Sequence, residues 1–373
     1  MYAHAQTVIQ LVEKLAPKSL AMEGDEKRIG LQVGTLQKEA RRVMVALDVL
    51  ESVVDEAIAK KVDLIIAHHA VIFRPLRHLR TDLPQGRLLE KCLKHDISIY
   101  VAHTNLDLAD GGLNDWLASS LELQDTEVLI PLASERLKKI VVFIPEDHVE
   151  PVMQAMSEAG AGWIGNYSHC TFQIPGTGTF MPREGTNPFI GQQGTLERVA
   201  EVRLETIVPE SIQSSVIRAM LDAHPYEEVA YDVYPLEQPG KTRGLGRKGR
   251  LAAPMSLRDF ARFVKEKWSL PGLRYVGPPD CLIEKVGVIG GDGNSFVSQA
   301  AGRGIDVLVT GDIYYHTAHD ALAMGLCLVD PGHHVEQVMK GRLAEYLKNQ
   351  LSGKYPDTEI LVSEINTDPF AYL

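Results

Sequence analysis

Cysteine is scarce in this chain, and the four present (Cys92, Cys170, Cys281 and Cys327) are scattered with no C-x-x-C pair. That spacing speaks against a disulfide framework or a cysteine-type zinc site and fits reduced thiols. Positive charge is also short: 38 Lys and Arg against 49 Asp and Glu leave a formal net charge of -11. A nucleic-acid backbone is therefore not expected as the main partner. No apolar run reaches the roughly 18 residues of a membrane helix. No charged-then-apolar leader precedes the first amphipathic segment, so a cytoplasmic location without membrane contact is expected. The sequence contains no G-x-S-x-G, no H-E-x-x-H and no Cys–His constellation. Nucleophilic catalysis by a side chain therefore has no support.

What is present is ordinary globular composition, 45% hydrophobic and 23% charged over 373 residues, too long for one core, so two or three domains are expected. The first 130 residues alternate helix and strand patterns: helix over 8–15, strand 43–47, helix 52–60, strand 64–67, helix 87–94, strand 97–102. The last 125 or so repeat the rhythm, with strands at 286–289, 307–310 and 326–329 and helices near 295–301, 317–324 and 335–351. Such alternation predicts βαβ units and a mostly parallel sheet. The middle reads as strand 139–144, helix 151–159, strand 171–174, a Gly/Pro/Thr-rich stretch 175–194, strand 201–208, helix 211–223 and strand 229–234. That order is the split, ferredoxin-like pattern of a small α+β domain. The expected arrangement is an α/β domain from residues 1–130 and 241–373, interrupted by an inserted domain over 131–240.

Two adjacent histidine pairs, His68-His69 and His333-His334, each stand just beyond a short apolar run at opposite ends of the chain. Open α/β sheets bind ligands beyond the carboxyl ends of their strands, and this chain repeatedly places polar residues there. Strand 64–67 leads to His68 and His69, and strand 97–102 to His103, Thr104, Asn105 and Asp107. Strand 307–310 leads to Gly311, Asp312 and His316, and strand 326–329 to Asp330, His333, His334 and Glu336. Any single histidine is more often a surface or capping residue, but the whole set falls at one end of the predicted sheet. Histidine and carboxylate without cysteine suit zinc, manganese, iron or nickel. A bridging carboxylate could hold two ions about 3.5–4 Å apart. On a first helical turn His333 and Glu336 would share a face, while spacing alone leaves Asp107 equally a ligand or a turn residue. Two further segments are ambiguous. Gly290-Gly291-Asp292-Gly293 is either a tight strand-to-helix turn or an anion-holding one. The basic, glycine-rich 242–250 is either a mobile linker or a contact for a phosphate-bearing substrate.

These residues resemble the NIF3-like family, also called DUF34 or GTP cyclohydrolase I type 2 homologues. The carrying segments are Gly30-Leu31-Gln32-Val33-Gly34, Ala67-His68-His69, His103-Thr104-Asn105-Leu106-Asp107, Gly290-Gly291-Asp292-Gly293, Thr310-Gly311-Asp312 with His316, and Gly332-His333-His334-Val335-Glu336. Ala223-His224-Pro225-Tyr226-Glu227-Glu228 resembles the PII/CutA-like insert of longer members. The resemblance implies a homohexameric toroid with two divalent metal ions per subunit, zinc first, with iron, manganese or nickel as alternatives. It implies His68 and Asp107 on one ion, His69 and His333 on the other, and Glu336 bridging. His103, Asp312 and His316 are then candidates for orienting those ligands or moving protons. The expected activity is a hydrolase-like, metal-activated attack by water on a small phosphorylated or nucleotide-like substrate. The alternative is a non-enzymatic, metal-binding regulatory or scaffold assembly whose insert senses a ligand.

Overall fold

A computed structural model describes residues 1–373. The chain divides into two compact units, one formed by 1–131 with 244–373 and one by 132–243.

The discontinuous unit contains two large sheets where the helix–strand rhythm suggests one. The five-stranded sheet runs Glu359–Val362, Arg42–Ala46, Leu64–Ala67, Ser98–Val101, Gly30–Val33. Its first four strands are parallel and the last is antiparallel. The six-stranded sheet runs Arg274–Val276, Cys327–Asp330, Val307–Gly311, Leu282–Asp292, Thr242–Ser256, Gln124–Ser134, with a parallel centre. All four residues of Leu64–Ala67 are buried, as expected of a parallel strand covered on both faces. Leu64 and Ile66 face one core and Ile65 and Ala67 another. The first of these cores also takes Val286, Val288, Val307 and Val309 from the second sheet, together with helical Val8, Val12, Phe260 and Leu343. A layer of helices thus lies between the sheets. The chain's last strand, Glu359–Val362, pairs with Arg42–Ala46 and closes the first sheet.

The segment 242–250 is no linker. It forms the first part of the fifteen-residue strand Thr242–Ser256, and its Arg247 is buried and donates from Nη2 to Asp115 Oδ2 at 2.8 Å. Charge and glycine hid this strand because the arginine's partner is distant in sequence.

The continuous unit has a four-stranded antiparallel sheet in the order Tyr231–Leu236, Leu137–Pro145, Glu197–Pro209, Thr171–Phe180. That is the ferredoxin-like order its βαβ pattern predicts. Ile140, Val142, Ile144, Val202 and Leu204 alternate onto one face, against Val152 and Met156 of helix Val149–Glu158 and Val216 and Met220 of helix Gln213–Ala223. The Gly/Pro/Thr-rich stretch is not all loop: 175–180 continue the strand that starts at Thr171. A glycine-bearing edge strand carries a weak periodic signal.

Candidate metal centre

The carboxyl ends of strands from both sheets converge on one cluster. Strand Leu64–Ala67 ends in His68, fully buried, and His69, partly exposed. After Ser98–Val101 the backbone turns at His103 into the short helix Thr104–Leu108, which presents buried Asp107. After Cys327–Asp330, Gly332 takes φ +83° and starts a 3-10 turn, His333–Gln337. Residues i and i+3 eclipse on such a turn, which sets His333 Nε2 3.2 Å from Glu336 Oε2. Glu336 also meets His69 Nε2 at 3.0 Å and His68 Nε2 at 3.8 Å. His68 Nε2 lies 3.6 Å from Asp107 Oδ1.

Each histidine is fixed by its other nitrogen. His68 Nδ1 donates to Ala102 O at 2.9 Å, and His69 Nδ1 to Asp48 Oδ1 at 2.7 Å. His333 Nδ1 donates to Asp312 Oδ2 at 2.7 Å, and His103 Nδ1 to Asp25 Oδ2 at 2.8 Å. An Nδ1 donor leaves an Nε2 lone pair aimed inward, the state a metal ligand requires. Two inward atoms, His68 Nε2 and Asp107 Oδ1, are buried without any hydrogen-bond partner. A buried unpaired polar atom is costly, and a cation between these two would satisfy both. Three sets of ligand atoms are close enough to share an ion: His69–His333–Glu336, His68–Asp107–Glu336 and His68–His69–His103.

The electrostatics agree. Burial, reinforced by the Glu336 charge, pushes the Asp107 carboxyl up to about 8. Burial acts the same way on Glu336, but His333, His68 and His69 overcome it and hold that group well below the carboxylate range. Burial opposes charging His69, yet Asp48 and Glu336 raise it to about 10. Glu336, with help from Asp312, raises His333 to about 9 against its burial. Without a cation the cluster is held together by protons, so ions and protons compete for the same atoms.

Of the residues expected from sequence, the structure brings together His68, His69, His103, Asp107, His333 and Glu336, with Asp312 behind His333. His316 lies on helix Tyr315–Ala323 with its ring against Tyr315, and it is in none of the three ligand groups. His334 also stays outside those groups. The glycine turn gives room to Glu336. A Cβ on Gly291, at φ +62°, would lie 2.6 Å from Glu336 Oε1, and one on Gly290 3.2 Å away.

Sequence reasoning missed Asp48 and Asp25. Asp48 lies two residues beyond strand Arg42–Ala46, so the strand-end rule could have found it. Asp25 sits at the start of a 3-10 turn, buried, accepting also from Thr104 Oγ1 at 2.7 Å and Arg28 Nη1 at 3.2 Å. Nothing in the sequence marks it.

Beside the cluster opens a cleft of ≈ 470 Å³, lined by Asp48, His69, Asp312, His333 and His334 and by apolar Leu47, Leu50, Pro369, Phe370 and Tyr372. No lysine or arginine lines it.

Comparison with known proteins places this geometry. The profile described as Duf34/NIF3 (NGG1p interacting factor 3) matches residues 3–369. A Bacillus subtilis protein named GTP cyclohydrolase 1 type 2 homolog is 55% identical over 370 residues, covering 99% of each chain. A Bacillus cereus protein related to NIF3 superposes with TM-score 0.94 at 53% identity, covering 100% of both chains. A Staphylococcus aureus protein follows with TM-score 0.79 and 32% identity, covering 100% of this chain and 99% of its own.

Proposed function

Because the chain belongs to the DUF34/NIF3 family, we propose that it is a hydrolase-like enzyme with two divalent ions per subunit, zinc first, with iron, manganese or nickel as alternatives. His68 and Asp107 would hold one ion, His69 and His333 the other, and Glu336 would bridge them. The observation that carries this reading is the pair of buried, unpartnered atoms, His68 Nε2 and Asp107 Oδ1, 3.6 Å apart beside the Glu336 carboxylate that His69 and His333 also approach. Two such ions supply a water acidified to near neutral pH and a clamp on the substrate oxygen. The chain's own residues do the rest. Asp48 and Asp312 keep His69 and His333 in the ligand tautomer. His103, its ring 5.1 Å from that of His68 and held by Asp25, stands where a proton can be taken from the water or given to a leaving group. The apolar wall Leu47, Leu50, Pro369, Phe370 fits the body of a small substrate.

The relatives' name puts opening of a purine ring among the reactions to test. A cleft without lysine or arginine has no side-chain clamp for a polyphosphate, so any phosphate would be engaged through the ions. The decisive experiment loads the purified protein with each metal and follows turnover of a metabolite panel that includes GTP. Activity that disappears in His69→Ala supports the enzyme reading; a panel untouched by any metal form favours the regulatory one. Elemental analysis tests the site itself: Glu336→Ala should lose both ions, and retention of two per subunit would refute the assignment. We also propose the homohexamer that the family resemblance implies, to be checked by light scattering. No helix is long and apolar enough to cross a membrane.

A further inference from the structure

The unit 132–243 has a pocket of its own, ≈ 320 Å³ in volume, within the size range of small-molecule sites. Aromatic rings wall it: Tyr226 lies 5.9 Å from Phe180 and 6.3 Å from Phe189, centroid to centroid. At its base is Glu201 of strand Glu197–Pro209, only 7% exposed. Glu201 Oε1 accepts from Tyr226 Oη at 2.8 Å. The carboxylate's place is built in from the neighbouring strand, because any Cβ on Gly178 would collide with it. Glu227 accepts from the Asn187 backbone N–H at 3.1 Å and so holds the loop that carries Phe189 over the pocket. Glu227 and Glu228 line the rim against a single cation, Arg183.

A carboxylate in an apolar cavity with one phenol as its donor is poorly compensated. Phe180, Phe189 and Tyr226 line the pocket with aromatic surface, which attracts a cation. We propose that this pocket binds a small organic ammonium ion with an apolar body, the charge on Glu201 and the body among Phe180, Phe189 and Tyr226. The acidic rim disfavours carboxylates and phosphates, and the ring walls favour an amine with a ring or alkyl chain over an inorganic cation. None of these residues belongs to the metal cluster, so the proposal is independent of the reaction.

The test is calorimetry on the full-length, metal-loaded protein with phenethylammonium, 2-phenylethanol and phenylacetate as probes. We expect saturable one-site binding of the ammonium, roughly tenfold or more tighter than the alcohol, and none of phenylacetate. Glu201→Gln, which keeps volume and an acceptor for Tyr226, should weaken the ammonium by about tenfold or more while metal content stays unchanged. Phe189→Ala, on the loop, should weaken all binding and serves if Glu201→Gln fails to fold. No saturable binding of the ammonium, equal affinity for the alcohol, or an unchanged affinity in the variant that folds would each overturn the proposal.

Discussion

The two histidine pairs look alike in sequence and behave differently in space. At the end of strand Leu64–Ala67 both members of the pair enter the cluster, one anchored by a backbone carbonyl and one by a carboxylate. At the 3-10 turn after Gly332 only His333 enters, and its partner at the site is Glu336 rather than its sequence neighbour. Past the strand end the His68 and His69 rings lie 5.0 Å apart at one cluster, whereas on a turn of about three residues His333 shares its side with Glu336, three positions on, and not with His334. A doubled histidine is therefore one kind of ligand pair on a strand and another on a turn.

Single substitutions break this contrast most sharply. His69→Ala and His68→Ala should each cost a bound ion, as should His333→Ala, while His334→Ala should leave metal content near that of the parent by elemental analysis. Equal loss in His333→Ala and His334→Ala would erase the difference between the pairs. Gly291→Ala comes next. Its Cβ would displace Glu336 in a left-handed backbone conformation that costs an L-residue about 1–2 kcal/mol. Thermal denaturation should show that loss, and metal content should fall with it. Smaller effects belong to the orienting carboxylates. Asp48→Asn and Asp312→Asn should each weaken metal by roughly 10–100-fold, and competition with a chelator would show equal sensitivity on the two sides.

The smallest effect concerns a histidine in neither pair. His224 Nε2 donates to Phe143 O at 3.0 Å and its Nδ1 accepts from Tyr226 N at 3.1 Å. Both nitrogens are engaged by backbone, so the ring must stay neutral. Burial, the largest influence, lowers its pKa from the ordinary value of about 6.5. The unfolded chain then binds the extra proton first, so stability contributed by His224 is present above pH of about 6.5 and is lost as pH falls below it. Amide exchange at Tyr226 should quicken on acidification through that range, and His224→Gln should flatten the response.

Much of this was legible in the chain. Strands whose apolar runs are buried on both faces announced themselves, and with them His68, His69, His333 and Glu336 at their ends; Asp107, equally a ligand or a turn residue by spacing, joined them only through the family resemblance. What stayed hidden depended on partners far away in sequence. Arg247 reads as a mobile charge until Asp115 is beside it. Asp25 reads as a loop residue until His103 is set against it. His316, also beyond a strand end, has its ring against Tyr315 and is in none of the ligand groups. Two sheets were read as one because periodicity reports that a strand is buried, not which neighbours bury it.

The strand Glu359–Val362, which pairs with Arg42–Ala46, has a consequence for biosynthesis. His69 leaves the ribosome 267 residues before Glu336, and the strand that completes its sheet follows later still. The nascent chain cannot assemble the cluster before Glu336 is made, so a chain released earlier would carry an incomplete sheet and an incomplete set of ligand groups. An assembled cluster thereby marks a chain translated past Glu336.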